Sequence, residues 1–179
     1  SVVNFSVGIN AELTGYTESV FAQKNIVFVA AAGNDGRKLS GIDTNSFKVF
    51  PAFWGGRQAK FFITVGNAHP DGVPHISSNH SKEYVDLFAP GVCLESFSYN
   101  GVIRRKTGTS QAAPLVTFAA ALLRTIEATF VDANKVKAWW QASAEAFPEG
   151  SRYVAGQPPT RLHCLHVLRT GPQRLREAA

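Results

Sequence analysis

Three segments of the chain are almost continuously apolar, and each ends in a glycine. They are residues 2–8 (VVNFSVG), 25–33 (NIVFVAAAG) and 60–66 (KFFITVG). Apolar runs of this length, without alternating polar positions, are typical of strands that are covered on both faces, as in parallel sheets. A fourth, shorter strand is predicted over residues 84–91, which end in Pro-Gly.

Helical periodicity appears in three further segments. Residues 11–24 place apolar side chains three and four positions apart, which predicts an amphipathic helix between the first two strands. Residues 110–128 predict a long buried helix, and residues 133–146 predict another. Strands that alternate with helices predict an α/β fold, with a mainly parallel sheet and helices on both of its faces.

The remaining segments predict loops and one hairpin. Residues 34–59 are rich in Gly, Asn, Ser and Lys and predict an irregular surface loop. Residues 93–108 (CLESFSYNGVIRRKTG) predict a β-hairpin whose turn is Asn100-Gly101.

Length and composition favour one globular domain. The chain has 179 residues, of which 45% are hydrophobic and 17% charged. This balance excludes a disordered chain, and no apolar run is long enough to span a membrane, so we expect no membrane association. We predict a domain over residues 1–147, a Pro/Gly linker over 148–160 and a basic helical tail over 161–179. There is no signal-peptide pattern, and the compartment stays open between secreted and intracellular.

The net charge and the two cysteines say little about function. The net charge is +5, concentrated in residues 104–106 and in the tail. No nucleic-acid-binding module is recognisable, so we expect a solvated basic face and no nucleic-acid partner. Cys93 and Cys164 lie far apart in apolar surroundings, which favours two buried thiols over a disulfide, although sequence leaves the pairing open.

Ser110 is the first candidate for chemistry. The stretch TGTSQAAPLVTFAAALL places it at the start of the long helix, behind a glycine and ahead of two alanines. A helix start offers N–H groups without intrahelical partners, and small neighbours leave room around a hydroxyl, as a nucleophile needs beside developing negative charge. A plain helix cap at Thr109 or Ser110 explains the same residues, and this stretch alone favours the cap.

Asn34 is the second candidate, in the stretch AAAGNDG directly after a buried strand. Ligands bind at the carboxyl ends of the strands in such sheets, where we also expect Gly8 and Gly66-Asn67. The Asn34 amide is either an oxyanion donor, with the Ser110 N–H as the second donor, or a turn residue, and the local sequence favours neither.

Five motifs of the chain occur in the order, and at about the spacing, seen in the subtilisin-like serine proteases (subtilases). They are VVNFSVG, IVFVAAAGNDG, FITVGNAHPDG, YVDLFAPGV and GTSQAAP. The chain therefore resembles this family over residues 2–145, and the combination of GTS with an upstream AAAGN is specific. The resemblance implies a three-layer α/β fold, incomplete here at its N-terminal side, and a serine endopeptidase activity. It also reverses the preference for a plain cap at Ser110.

The resemblance implies a role for each matching position. Ser110 matches the nucleophile and Asn34 the oxyanion-hole amide. Two further segments match the walls of the S1 pocket, which takes the substrate side chain before the scissile bond, and one of them pairs with the substrate backbone as an added strand. The wall that pairs with the substrate backbone consists of Ser6, Val7 and Gly8. The opposite wall consists of Ala31, Ala32 and Gly33.

Many relatives have an aromatic-proline pair, joined by a cis peptide, beyond the floor of the S1 pocket. If Phe50-Pro51 matches that pair, the resemblance implies a shallower S1 pocket. Val49 then stands where many relatives have glycine.

The family's catalytic Asp and His motifs precede the strand that corresponds to residues 2–8, and this chain does not contain them. Asp43 does not replace the catalytic Asp, because it lies in the predicted surface loop. None of the five histidines follows the family's pattern; they are His69, His75, His80, His163 and His166. Their spacings lack supporting carboxylates, so we expect no metal site. No cofactor enters the chemistry, and the structural calcium that relatives often bind has no site that we can place.

We therefore expect the C-terminal part of a subtilase domain, held against an N-terminal portion on another polypeptide that supplies the Asp and His. Its substrate would be a protein or peptide. The absence of any methionine indicates a chain that begins at a processing or other boundary. The alternative is a pseudoprotease that keeps a peptide-binding cleft without the catalytic pair. The presence of both Ser110 and Asn34 favours the enzyme.

Overall fold

The computed structural model describes residues 1–11, 26–39, 47–56, 59–126, 133–143, 145–146 and 160–161. All but the first residue of the helix predicted over 11–24 lies outside the described residues. So do Cys164, Asp43, and nearly all of the predicted linker and tail.

The described residues form strands, two α-helices and one 3₁₀ turn. In chain order these are β1 (Val2–Phe5), β2 (Val27–Ala31), the 3₁₀ turn (Ala52–Trp54), β3 (Phe62–Ala68), β4 (Leu87–Pro90), β5 (Leu94–Phe97), β6 (Ile103–Lys106), α1 (Thr109–Ile126), α2 (Ala133–Ser143), β7 (Glu145–Ala146) and β8 (Thr160–Arg161). Neither helix is long and apolar enough to cross a membrane.

The main sheet has the strand order β1-β2-β3-β4-β8-β7. Strands β1 to β4 and β8 run parallel, and β7 lies antiparallel to β8 at one edge. The four strands expected from the apolar runs are confirmed, and the α/β class with a mainly parallel sheet is confirmed with them. The predicted hairpin is also present, since β5 and β6 pair antiparallel around Asn100-Gly101.

The central strands lack polar alternation because their two faces belong to two different cores. One core lies between the sheet and both helices. Its largest contributors are Val29, Ile63 and Val65 from the sheet, Val116 and Leu123 from α1, and Val136 and Trp140 from α2. Alanines on the inner side of α1 let its backbone approach the sheet closely, and this approach fixes where the start of α1 lies.

The opposite face of the sheet carries a row of aromatic rings. Phe28 stacks on Phe5 and Phe62, with ring centroids 5.6 and 5.0 Å apart. The 3₁₀ turn covers the end of this row, where Trp54 meets Phe62 edge-on at 5.3 Å. Ring pairs of this geometry add about 0.5–1.5 kcal/mol each beyond the area that they bury.

Two expectations about where elements end are wrong. The helix predicted over 133–146 ends at Ser143, and Glu145–Ala146 is a strand. Thr160–Arg161, predicted as the junction between linker and tail, is strand β8 beside β4. An edge strand leaves a row of backbone groups unpaired, and pairing those of β4 outweighs the weak local preferences of two short segments.

The third strand also runs further than expected. It continues past Gly66 to Ala68, so Asn67 is fully buried inside β3 instead of standing at its end. Cys93 is exposed, which corrects the expectation of a buried thiol. It lies in the turn before β5 with a positive φ of 53°, and the apolar residues around it in sequence do not surround it in space.

A buried ion pair joins α2 to the sheet. Lys137 Nζ lies 3.0 Å from Asp86 Oδ1, and both side chains are at most 6% exposed. The ammonium also donates to the carbonyls of Gly56 and Ala59, at 2.7 and 3.1 Å. Asp86 Oδ2 accepts from the N–H groups of Gly56 and Thr64, at 3.0 and 2.8 Å. Each charge is therefore fully solvated by protein groups.

Lys137→Met should destabilise the protein by about 3–5 kcal/mol, because it leaves the Asp86 carboxylate buried without its cation. Lys82→Met, at an exposed position outside the helix, is the control and should cost less than about 0.5 kcal/mol. Urea denaturation followed by tryptophan fluorescence measures both. Equal losses in the two variants would show that the buried pair is not what holds α2 in place.

Candidate functional site

Ser110 lies in the first turn of α1, half-buried, and contacts the segment that follows β1. Its Oγ donates to the Ser6 carbonyl at 3.2 Å, and Ser6 Oγ donates to the Ser110 carbonyl at 3.0 Å. The Gly108 carbonyl accepts from the N–H groups of Gln111 and Ala112, at 3.1 and 3.3 Å. Within the described part of the chain, the N–H of Ser110 itself has no acceptor and is available to a ligand.

Asn34 lies beside Ser110 because Thr109 holds its side chain. The Thr109 N–H donates to Asn34 Oδ1 at 2.8 Å, and the Thr109 hydroxyl donates to the same oxygen at 3.2 Å. Two donors on Oδ1 fix which way the amide is turned. They leave Nδ2 as a donor group that finds no acceptor among the described residues. Sequence reasoning treated Thr109 only as a helix cap and missed this orienting role.

An open cleft of about 350 Å³ lies next to these groups. Five of the sequence-predicted site residues line it together with Ser110, namely Val7, Gly8, Ala31, Gly33 and Asn34. Ser6 joins the site through its two hydrogen bonds with Ser110. Ala32 does not line the cleft, because its side chain is fully buried in the second core.

Val49 is one of the residues that line this cleft. A Cβ on Gly8 would stand 2.7 Å from Val49 Cγ1, so the two walls meet there. Residues 8–10 are held in place by a backbone pair between Ile9 and Phe50, with N···O distances of 3.0 and 2.8 Å. The Phe50-Pro51 peptide is cis, as the resemblance implied.

A second groove, of about 360 Å³, also reaches Ser110. It runs between the β5–β6 hairpin and the first turns of α1, and it is lined in part by Leu94, Lys106, Pro114 and Leu115. Large apolar side chains stand exposed on the same elements. Phe97 and Phe118 are 77% and 63% exposed.

Asn79 hydrogen-bonds to the loop that carries Asn34, and sequence reasoning did not single it out. It is fully buried, although the stretch around it, residues 75–80, is mostly polar. Its side chain contacts residues on both sides of Asn34. An asparagine in a polar loop carries no sequence signal that separates such a role from a turn.

His69 and His75 make their contacts with groups other than the Ser110 hydroxyl. His69 and His75 pack against each other with ring centroids 5.2 Å apart, and His75 Nδ1 pairs with Ser77 Oγ at 2.8 Å. Neither hydrogen-bonds to Ser110, whose described side-chain partner is Ser6. No group of three or more His, Cys, Asp or Glu residues that could hold a metal is found in the described ranges.

Comparison with known proteins gives a consistent result. A family model described as the subtilase family matches residues 1–165. Two curated relatives are subtilisin-like protease 1 of Pseudogymnoascus destructans, 35% identical over 127 residues, and subtilase-type proteinase RRT12 of Saccharomyces cerevisiae, 36% identical over 132 residues. The matches cover 69% and 68% of this chain but only 28% and 23% of those proteins.

Solved structures agree on the fold. The structure of the subtilase cytotoxin SubAB assembly superposes with a TM-score of 0.79 at 19% identity, covering 97% of this chain and 59% of that one. The self-cleaved protease domain of PatA gives a TM-score of 0.68 at 27% identity, covering 97% of this chain and 62% of that one. The chain thus spans about a quarter of the curated relatives and about three fifths of these solved chains.

Gly33→Ala should destabilise the protein by about 3 kcal/mol or more, since it adds backbone strain and displaces a buried amide. Gly33 has φ +97°, and a Cβ there would stand 2.4 Å from Asn79 Nδ2. Gly101→Ala is the matched control, because Gly101 has φ +75° with nothing within 4 Å of a Cβ. It should lose only the strain, about 1–2 kcal/mol. Chemical denaturation of both variants checks this, and equal losses would contradict the close packing on Asn79.

Proposed function

The chain belongs to the subtilase family, and we propose that it is the serine-bearing part of a subtilisin-like endopeptidase. One observation carries the proposal. Thr109 turns the Asn34 amide so that a free donor group stands beside Ser110, at the start of a helix whose Ser110 N–H is also free among the described residues. A plain helix cap at Ser110 would need neither donor.

The proposed reaction follows from these groups. Ser110 Oγ attacks the carbonyl carbon of the scissile peptide bond while a histidine removes its proton. Asn34 Nδ2 and the Ser110 N–H donate to the oxyanion that forms. The C–N bond then breaks, the histidine returns the proton to the leaving amine, and an ester remains on Ser110. Water hydrolyses that ester, and no cofactor enters.

We propose that an N-terminal portion, carrying the catalytic Asp and His, supplies the base. Substrate would occupy the cleft, so the histidine has to approach Ser110 from the groove between α1 and the hairpin. Exposed apolar side chains beside that groove, Phe97 and Phe118 among them, support a partner there. Strand β1 supports the same idea, since it pairs only with β2 in the described sheet and offers a free edge.

Active-serine labelling tests this proposal. A fluorophosphonate should label Ser110 in the protein purified from its native source, and a second polypeptide should purify with it. Ser110→Ala should abolish labelling and lower kcat by about 10⁶-fold, the loss found when subtilisin itself loses its nucleophile. Thr125→Ala, which removes a hydroxyl at the far end of the same helix, is the control and should label normally.

Two outcomes would contradict the proposal. A chain that never labels, alone or with its partner, would favour the pseudoprotease. A chain that sediments by itself as a stable, folded monomer would contradict the need for an N-terminal portion.

We also propose that the pocket favours small P1 side chains, because Val49 and Gly8 meet at its wall. Val49→Gly should raise kcat/KM for a P1 Phe peptide relative to P1 Ala by about 10-fold or more, since each methylene accommodated in a pocket changes discrimination on this scale. Val73→Gly, an exposed valine outside the cleft, serves as the control. An unchanged Phe/Ala ratio in Val49→Gly would show that Val49 does not limit the pocket.

A further inference from the structure

We infer that Asn79 is a positioning residue for the oxyanion hole, acting through Asn34. This inference rests on the proposed function and adds a residue to its machinery. Asn79 belongs to neither the cleft nor the groove, and it would not touch the substrate. Its effect on the reaction comes from where it holds the loop that presents the Asn34 amide.

The Asn79 side chain contacts both sides of that loop. Its Nδ2 donates to the Ala32 carbonyl at 2.9 Å and to the Asp35 carboxylate at 3.0 Å. Its Oδ1 accepts from the N–H groups of Asp35 and Arg37, at 3.1 and 3.0 Å. All four bonds of one buried amide therefore end on residues that flank Asn34, two positions before it to three positions after it.

The backbone of the same segment adds to this support. Asn79 N–H donates to the Gly33 carbonyl at 3.0 Å, and Gly36 N–H donates to the Ser77 carbonyl at 2.9 Å. The His80 N–H reaches the Arg37 carbonyl at 3.1 Å. The segment 77–80 thus lies along the whole Asn34 loop and acts as its template.

The loop itself is shaped to receive Asn79. Gly33 has no side chain, and a Cβ there would overlap Asn79 Nδ2 at 2.4 Å. Asn79 is fully buried, so its four bonds are not exchanged with solvent. Asn34, by contrast, is exposed, and among the described residues Thr109 is the one that hydrogen-bonds to its side chain. The loop geometry is therefore set from the buried side by Asn79 and from the helix side by Thr109.

A double-mutant cycle in the assembled, active protein tests the inference. Asn79→Ala should lower kcat by about 10- to 100-fold with little change in KM, because a displacement of about 1 Å at an oxyanion donor has this cost. Asn34→Ala should lower kcat by about 10²–10³, the effect known for the equivalent donor of subtilisin. The double variant should be no slower than Asn34→Ala alone, since Asn79 would act only through Asn34.

Controls separate positioning from stability. Ser81→Ala removes an equally buried hydrogen-bonding side chain two residues further on, whose bonds go to Glu83 and Tyr84, and should leave kcat unchanged. If Asn79→Ala does not fold, Asn79→Ser keeps a small uncharged hydroxyl in place of the amide, shortens its reach to the loop, and enters the same cycle. Thermal denaturation confirms that each variant is folded at the assay temperature.

The outcomes are distinct. Non-additive losses in kcat support the inference. Additive losses, or a loss confined to KM, would overturn it while leaving the proposed function intact. A wild-type protein that neither labels nor turns over peptide would overturn the proposed function, and the inference with it, before any variant is compared.

Discussion

The hydrogen bond from the Thr109 N–H to Asn34 Oδ1 is the contact on which the site depends. It joins residues 75 positions apart in the chain, at the end of β2 and at the start of α1. It forms because α1 lies close to the sheet, which its inner alanines allow, and the absence of a side chain at Gly108 leaves room beside the Asn34 amide. A Cβ at that position would stand 3.2 Å from Asn34 Oδ1. The packing of the core and the geometry of the site therefore depend on each other, since a shift of the helix against the sheet would move the two proposed oxyanion donors apart.

Much of this arrangement could be predicted from sequence because its determinants are local or carried by motifs. The apolar runs predicted β1 to β4, and the AAAGN and GTS motifs predicted that Asn34 and Ser110 would meet. The errors have a common physical origin. β7 and β8 are two-residue strands that exist only because β4 has a free edge, and Cys93 is exposed only because a turn carries it away from the core. Asn79 could not be identified because its four partners come from a loop more than 40 positions earlier. Tertiary contacts, which sequence periodicity does not contain, decide all three.

Two surfaces connect the fold to the proposed partnership. The edge of β1 leaves backbone groups free within the described sheet, and the groove at Ser110 includes the exposed ring of Phe97 among its lining residues. The resemblance implies that the residues preceding this strand in the family carry Asp and His, so that the same partner would complete the sheet and the catalytic group together. Folding and activity would then depend on a single association, and the buried Lys137–Asp86 pair holds α2 on the sheet at a site separate from it.

The reciprocal bonds between Ser6 and Ser110 have a consequence for latency. In this structure the Ser110 hydroxyl donates a hydrogen bond to the carbonyl oxygen of Ser6, which is far too weak a base to take the proton at neutral pH. The Ser110 hydroxyl is therefore not activated as a nucleophile until the Ser110 side chain turns towards a stronger base. That turn is a single rotation about one bond, which is fast. If the proposed partner supplies the histidine, the cleft and the proposed amide donors are set by the same fold, and only the Ser110 side chain has to turn towards the base.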